Sequence, residues 1–198
     1  MNNDNDSYLC TTYPKMFVNR DKSMMETCMC WGFECGNGWF NILNQLCQNI
    51  QHHIDWREHQ IDGANKYNQM VTQCKAGIYD LFEEENKEIT DQVYKEKKLR
   101  TIIDSDCIKV PDSIPQVTLD QVKEKFGTLR FYYTGGDDVI DGMVRMAESM
   151  SGVTCEECGN LASTDYPESG GWINTTCDPC KEKRGRAYQN YKENTLNN

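Results

Sequence analysis

With 198 residues, a net charge of −10 and 38% hydrophobic residues, the chain is long enough for one domain of ordinary size, or a domain with a small appendage, but has little apolar content to spare. No run approaches the ~20 apolar residues of a membrane span. The opening Met1-Asn2-Asn3-Asp4-Asn5-Asp6 lacks the basic-then-apolar pattern of a secretory signal, and so acidic a chain is a poor general coat for nucleic acid, whose phosphates reward a basic surface. Cytoplasmic residence is the expectation. Eleven cysteines are an odd number that complete internal pairing cannot use, whereas a reducing compartment with some metal-bound thiolates accommodates them.

Residues 1–9 are polar and are expected to lack order, with an α+β domain following over 10–150. Order should begin near Tyr13-Pro14-Lys15-Met16-Phe17. The stretch from Cys28 to Trp39 mixes aromatics, glycines and three cysteines, which predicts a compact loop. Cys28, Cys30 and Cys35, with Cys47, His52, His53 or His59 nearby, are candidates for a second metal site. The C-x-C-x4-C spacing is not a common zinc knuckle, however, and buried free thiols that pack as small hydrophobes are the preferred reading.

Trp39, Ile42, Leu43, Leu46, Cys47, Ile50 and Ile54 follow the i, i+3, i+4, i+7 rhythm of an amphipathic helix. His52 and His53 fall near its expected C-terminal end, where the helix dipole favours an imidazolium. Gly63 interrupts the pattern. Tyr67, Val71, Cys74, Ile78 and Leu81 then predict a second helix with a narrow seam, continuing to about Arg100 as a charged, solvated arm. Ile102, Ile103, Ile108 and Val110 read as irregular or edge-strand structure before Pro111 and Pro115.

Leu129, Phe131 and Tyr133 alternate with Thr128, Arg130 and Tyr132, which is a strand. Before it, Val122, Glu124 and Phe126 alternate as in a hairpin, although 118–121 also resembles a capping box and Gly127 a helix C-cap. As a hairpin, the segment puts Leu129, Phe131 and Tyr133 in the core with Val122 and Phe126. Lys123, Lys125, Arg130 and Tyr132 then share the other face, a cationic patch suited to a phosphate, a nucleotide or an acidic loop. The alternative is a solvated face whose lysines pair with Asp120 and Glu124. Asp137-Asp138 then offers N-caps to a third helix with Val139, Ile140, Met143, Val144, Ala147 and Met150 on its face, ended by Ser151-Gly152.

The strongest chemical signal comes last. Cys155-Glu-Glu-Cys158-Gly159 and Cys177-Asp-Pro-Cys180 are two C-x-x-C knuckles separated by eighteen residues. Each thiolate pair fits one edge of a zinc tetrahedron, and the loop is long enough to bring them together. Disulfides or a redox dithiol are the alternatives, needing an oxidising compartment or a βαβ context. One structural zinc on Cys155, Cys158, Cys177 and Cys180 is therefore expected, in a zinc-ribbon-like segment over 151–188. A short strand over 170–173 is expected with Trp172 covering the site, and a disordered tail over 189–198. The fold class is thus α+β, with amphipathic helices on a small antiparallel hairpin and a C-terminal segment that carries the four-cysteine zinc site.

The succession Tyr13-Pro-Lys-Met-Phe17, Cys30-Trp-Gly-Phe-Glu-Cys-Gly-Asn-Gly-Trp39, Gln121-Val-Lys-Glu-Lys-Phe-Gly-Thr-Leu-Arg-Phe-Tyr132, Ala147-Glu148, Cys155-Glu-Glu-Cys-Gly159 and Gly171-Trp172 resembles a family of small proteins carried by tailed bacteriophages and prophages. The likeness spans about three quarters of the chain and leaves out 56–110, which reads as a helical insertion. It implies a phage origin and a host-cytoplasm setting, and no reaction.

Four cysteines close a zinc shell and leave no position for an activated water, and the histidines form no serine–histidine–acid pattern. A deaminase would place His-x-Glu ahead of its cysteines, which this chain lacks. The expected function is therefore non-catalytic binding of a host protein or an anionic small ligand. A zinc ribbon that binds nucleic acid or modulates transcription is one alternative, carried by Lys181, Lys183, Arg184 and Arg186, with weak, salt-sensitive DNA binding expected, and an enzyme of unknown reaction is the other.

Overall fold

The computed structural model of the chain describes residues 1–165 and 172–186. Its chain divides into two units, Met1–Ile54 with Pro115–Asn198, and Asp55–Ile114. The stretch 56–110 falls inside the second. The elements are α1 (Asn3–Thr12), β1 (Phe33–Glu34), α2 (Phe40–Lys75), α3 (Asp80–Glu85), α4 (Gln92–Asp104), β2 (Thr118–Lys125), β3 (Thr128–Thr134), α5 (Asp138–Ser151), β4 (Ser163–Asp165) and β5 (Asn174–Thr176), with 3-10 turns at Met29–Trp31 and Asn37–Trp39. Backbone beyond Cys177 is helical over 178–186.

The first unit is built on the hairpin. β2 and β3 are antiparallel, with Val122 opposite Phe131 and Lys123 opposite Arg130, while β1 adds to β2 in parallel. Phe126 and Gly127 form the two-residue loop, both at positive φ (54° and 77°), the twist that a tight hairpin needs. That turn removes Phe126 from the strand alternation. The residue expected in the core is 63% exposed, and Lys125 Nζ lies 5.4 Å from its ring centroid. A register shift between Leu119 and Gln121 resets the pleat, so that Leu119, Val122, Leu129 and Phe131 are all buried.

β3 is an edge strand, and α5 closes the edge. Its Glu148 carboxylate accepts from Phe131 N at 3.0 Å, and its Ser151 hydroxyl accepts from Leu129 N at 2.8 Å. Two N–H groups that would otherwise recruit another strand are thereby satisfied. Asp137 caps α5 by accepting from Ile140 N at 3.1 Å, and Gly152 ends it. Ile140, Val144 and Ala147 turn inward, as the periodicity predicts, whereas Val139 and Met150 face out.

Residues 1–9 are not without order. Asn2 caps α1 by accepting from Asn5 N, Leu9 is fully buried, and Asp6 pairs with Arg20 at 3.2 Å. A polar run needs only one buried side chain and a cap to be held by neighbours, and composition alone does not register either.

α2 is one helix of 36 residues, not two. Gly63 lies within it and lowers helix propensity by ~1 kcal/mol without breaking the hydrogen-bond ladder. His53 therefore sits in mid-helix, with Nε2 3.0 Å from Asp137 Oδ2, and His52 is exposed.

In the second unit, Val71, Cys74, Phe82 and Ile102 form a core joined by Tyr67, Met70, Leu99 and Ile103. The continuous arm expected to Arg100 is broken twice. Gly77 at φ 78° ends the first helix, and a turn after Asn86 separates α3 from α4, with Asn86 Nδ2 donating to Phe82 O at 2.7 Å. Burying Phe82 requires the chain to fold back, which a straight helix cannot do. Glu83 with Lys95 and Glu85 with Lys66 pair across the helices.

Burial would raise the Asp137 pKa, but hydrogen bonds from His53, Ile140 N and Val139 N outweigh it and hold the carboxyl below its ordinary value. A depressed carboxylate pKa stabilises the fold above the ordinary aspartate range and loses that contribution as pH falls through the folded value. Asp137→Ala is expected to cost about 1 kcal/mol in urea unfolding at neutral pH, with the difference from the parent starting to shrink near about pH 4 and falling further as the pH passes through the lower folded value.

Candidate metal centre

Cys155 lies four residues beyond the end of α5, so the first knuckle is aimed by a packed helix. Cys155 N donates to Asn160 O at 2.7 Å and Gly159 N to Cys155 O at 2.8 Å, with Gly159 at φ 79° closing the turn. The chain then runs through β4, and β5 returns antiparallel to it with Thr164 opposite Thr175. Cys177 follows directly. Its knuckle opens the terminal helix, and Pro179 falls in the first turn, where a missing N–H costs nothing.

The sulfurs of Cys155, Cys158, Cys177 and Cys180 all lie within 4.8 Å of one another, and Cys158 and Cys177 are 3.5 Å apart. Four thiolates at about 2.3 Å from a tetrahedral ion sit about 3.8 Å apart, so the cluster matches a metal cage. A disulfide would need sulfurs at about 2.05 Å, and the four are free. Among the described residues this is the one group of three or more such side chains whose ligand atoms converge. Cys155 is buried and Cys158 exposed.

The cluster's protonation favours a cation. Burial would push the Cys155 thiol up, yet backbone N–H groups of Cys177, Cys158 and Glu157 bring it down to about 7. Hydrogen bonds with the Cys158 and Cys177 sulfurs, burial, and the Cys155 sulfur push Cys180 up to about 12. One thiolate forms readily and opposes the next, and a dication at the centre removes that opposition.

What holds the first knuckle is the Cys35-Gly-Asn-Gly-Trp39 stretch. Gly38 N donates to Glu156 O at 2.7 Å, Gly36 N to Glu156 Oε1 at 2.8 Å, and Trp39 Nε1 to Thr154 O at 2.8 Å. A Cβ on Gly38 would lie 2.1 Å from Cys155 O, and one on Gly36 2.2 Å from Glu156 O. From the other side, Glu156 N donates to Thr175 O at 2.9 Å, and Thr175 Oγ1 to Gly127 O at 2.5 Å. The cysteine segment is thus joined to the hairpin turn and to the start of α2, not appended to them.

Trp172, expected to cover the site, is 76% exposed and lines a groove of about 290 Å³ with Phe126, Lys125, Glu124 and Ile173. The buried indole at the knuckle belongs to Trp39 instead. Its signal was the glycine pair before it, since two glycines flanking one residue mark a backbone that another backbone approaches. The strand expected over 170–173 begins at Asn174; Gly170 and Gly171 lie outside the described residues, as does the tail over 189–198.

Cys35 and Cys47 are buried, and burial pushes the Cys35 thiol up to about 12 and the Cys47 thiol further. Cys30 Sγ donates to Thr27 O at 3.2 Å, and Cys28 lines an open cleft with Met24, Met25 and Tyr132.

Lys123, Arg130 and Tyr132 share one face of the hairpin, with Lys123 Nζ 5.4 Å from the Tyr132 ring centroid. Lys125, opposite Thr128, extends the row. Arg130 Nη1 donates to Thr128 Oγ1 and Leu129 O, both at 2.7 Å. Asp120 accepts from Thr134 Oγ1 at 2.9 Å and Glu124 from Gly127 N at 2.5 Å. Glu34 of β1 lies beside Lys123 and accepts from Gln121 Nε2 at 2.8 Å. In the basic terminal helix, Lys181 pairs with Asp165, Arg184 with Glu157 at 2.6 Å and Arg186 with Glu182 at 3.7 Å.

Gly38→Ala tests the clasp. The Cβ would meet backbone, which cannot swing aside, so a loss of about 2–4 kcal/mol is expected in urea unfolding. Gly63→Ala, where nothing lies within 4 Å, is expected to leave stability equal or higher.

No protein-family model matches the chain, and neither curated proteins nor solved structures match it.

Proposed function

We propose that the protein is a non-catalytic binding module stabilised by one structural zinc on Cys155, Cys158, Cys177 and Cys180. Zinc suits the donor set, because four thiolates select a soft, tetrahedral ion. A closed four-sulfur shell leaves no coordination position for a water or substrate, so the ion holds the fold and performs no chemistry.

The module works through the hairpin face of Lys123, Lys125, Arg130 and Tyr132, on a host protein with an acidic surface or on an anionic small ligand such as a nucleotide. The observation that carries this reading is where Asp120 and Glu124 go. Both are taken up by Thr134 and by the hairpin turn, which leaves a row of cations with an aromatic ring on a chain of net charge −10. Such a row needs little rearrangement to bind, since the hairpin is fastened at its turn by Thr175 and along its edge by α5. The resemblance to phage proteins supports a host-cytoplasm setting. Three of the four cations in the terminal helix already have carboxylate partners, which weighs against a nucleic-acid ribbon.

Elemental analysis of purified protein is expected to give one zinc per chain. Cys158→Ser should lose it, and protein without zinc would end this assignment. Because the knuckles are also fastened by Gly38, Thr175 and Trp39, chelation is expected to loosen 155–186 while α5 and the hairpin stay folded, which hydrogen exchange would read.

Changing Lys123, Lys125 and Arg130 together to Ala is expected to leave zinc content near the parent's and to cost at most about 1 kcal/mol of stability, since Lys125 is exposed, Lys123 and Arg130 are half-buried, and Arg130 bonds within its own strand. The variant should weaken binding of ATP or of a glutamate-rich peptide, followed by calorimetry, by roughly tenfold or more. Parent protein that binds neither probe, or a variant that binds as the parent does, would place the working surface elsewhere.

A further inference from the structure

From Phe40 to Ile54, α2 contains no Asp, Glu, Lys or Arg, in a chain that is 26% charged. Apart from His52, its exposed positions are amides. Asn41, Gln45, Gln48 and Asn49 are exposed, and Gln45 Nε2 lies 3.2 Å from Gln48 Oε1 and 3.3 Å from Asn49 Oδ1. A helix face meant for water ordinarily carries Lys and Glu, which are also better helix formers than Asn.

Beside this amide row, α5 presents a second apolar stripe. Val139, Met143, Met146 and Met150, followed by Val153 just past the helix, recur at steps of four, three, four and three. Val139, Met146, Met150 and Val153 are all exposed, Met146 at 66%. The core takes Ile140, Val144 and Ala147 from the neighbouring face, and the exposed positions of this stripe are left uncovered among the described residues. A groove of about 480 Å³ runs between the two helices, and no residue lining it is charged. Gly142 sits on the flank of the stripe, and a Cβ there would meet nothing within 4 Å. Among the described residues the monomer supplies no steric reason for a glycine in mid-helix.

We propose that this face of α2 and α5 docks a second copy of the same chain, α5 against α5, in a two-fold symmetric dimer. Three features select a copy of itself. A net charge of −10 on each chain opposes self-association, and that opposition is small at a contact surface that carries no charge, as this groove does. Amides donate and accept alike, so a row of Asn and Gln pairs with the same row turned about a two-fold axis. The alternating four- and three-residue spacing is that of a seam that packs on another helix, and Gly142 lets the two backbones come close. Charge depletion with methionine enrichment is also the composition of interface cores. A foreign partner drawn to so acidic a chain would be basic, and here it would find no carboxylate. The face shares no residue with Lys123, Lys125, Arg130 and Tyr132, so either reading stands or falls without the other.

Sedimentation velocity on the full, metal-loaded chain, over a concentration series reaching hundreds of micromolar, is expected to show a monomer–dimer equilibrium. Met146→Glu adds a charge to each half of the seam and should weaken the dimer by roughly tenfold or more, with thermal unfolding of the monomer unchanged because the side chain is exposed. Gly142→Ala should separate the two roles of the position, raising monomer stability by helix propensity while weakening the dimer. A parent chain that stays monomeric throughout the series overturns the proposal, whether or not a foreign helix binds the groove. So does a dimer whose dissociation constant is the same with Met146→Glu.

Discussion

Backbone meets backbone where Gly36 and Gly38 lie against residues 155–159, and the first unit is assembled around that approach. Carbonyls of Cys155 and Glu156 occupy the space that side chains at 36 and 38 would need. The segments involved are some 120 residues apart in sequence, so closing the contact carries a loop-entropy cost that local hydrogen bonds alone meet poorly. Four cysteine sulfurs converge at the same place, and an ion held by them would add to the stability of that closure. Because β1 precedes the clasp, α2 follows it and α5 leads into the knuckle, one close approach sets the starting points of three elements.

The hairpin receives the consequences. Its turn is fastened by Thr175 and Glu124, its edge by Glu148 and Ser151, and its inner face by the residues of the core. A two-stranded hairpin on its own is marginally stable at best. Phe126 holds a left-handed conformation that a bulky residue adopts at a cost of order 1 kcal/mol and gains no burial for it.

Charge is distributed to match. Three of the four cations in the terminal helix are paired with Asp165, Glu157 and Glu182. Two areas depart from the average in different ways. The hairpin face is cationic and aromatic, and the α2–α5 face is uncharged and rich in amides and methionine. A cationic row attracts at long range and orients an anion, whereas a neutral seam acts only on contact.

Much of this was legible in the residues. The two C-x-x-C pairs specify a four-sulfur site because ligand spacing is a local property, and the strand over 128–133 and the helix after Asp137 follow from alternation and periodicity for the same reason. Burial of one face against a neighbour is where local reading stopped. A glycine at 63 looks like an interruption until the flanking turns pack and carry the helix through it, and a polar stretch at 1–9 looks unstructured until Leu9 finds a cavity and Asp6 finds Arg20. Trp39 and Trp172 are the same residue type beside the same kind of glycine. Only the tertiary structure decided that the one 116 positions before Cys155 lies at the four-cysteine cluster and the one five positions before Cys177 does not, because which backbone approaches another so closely is set by the path of the whole chain and by no property of the segment itself.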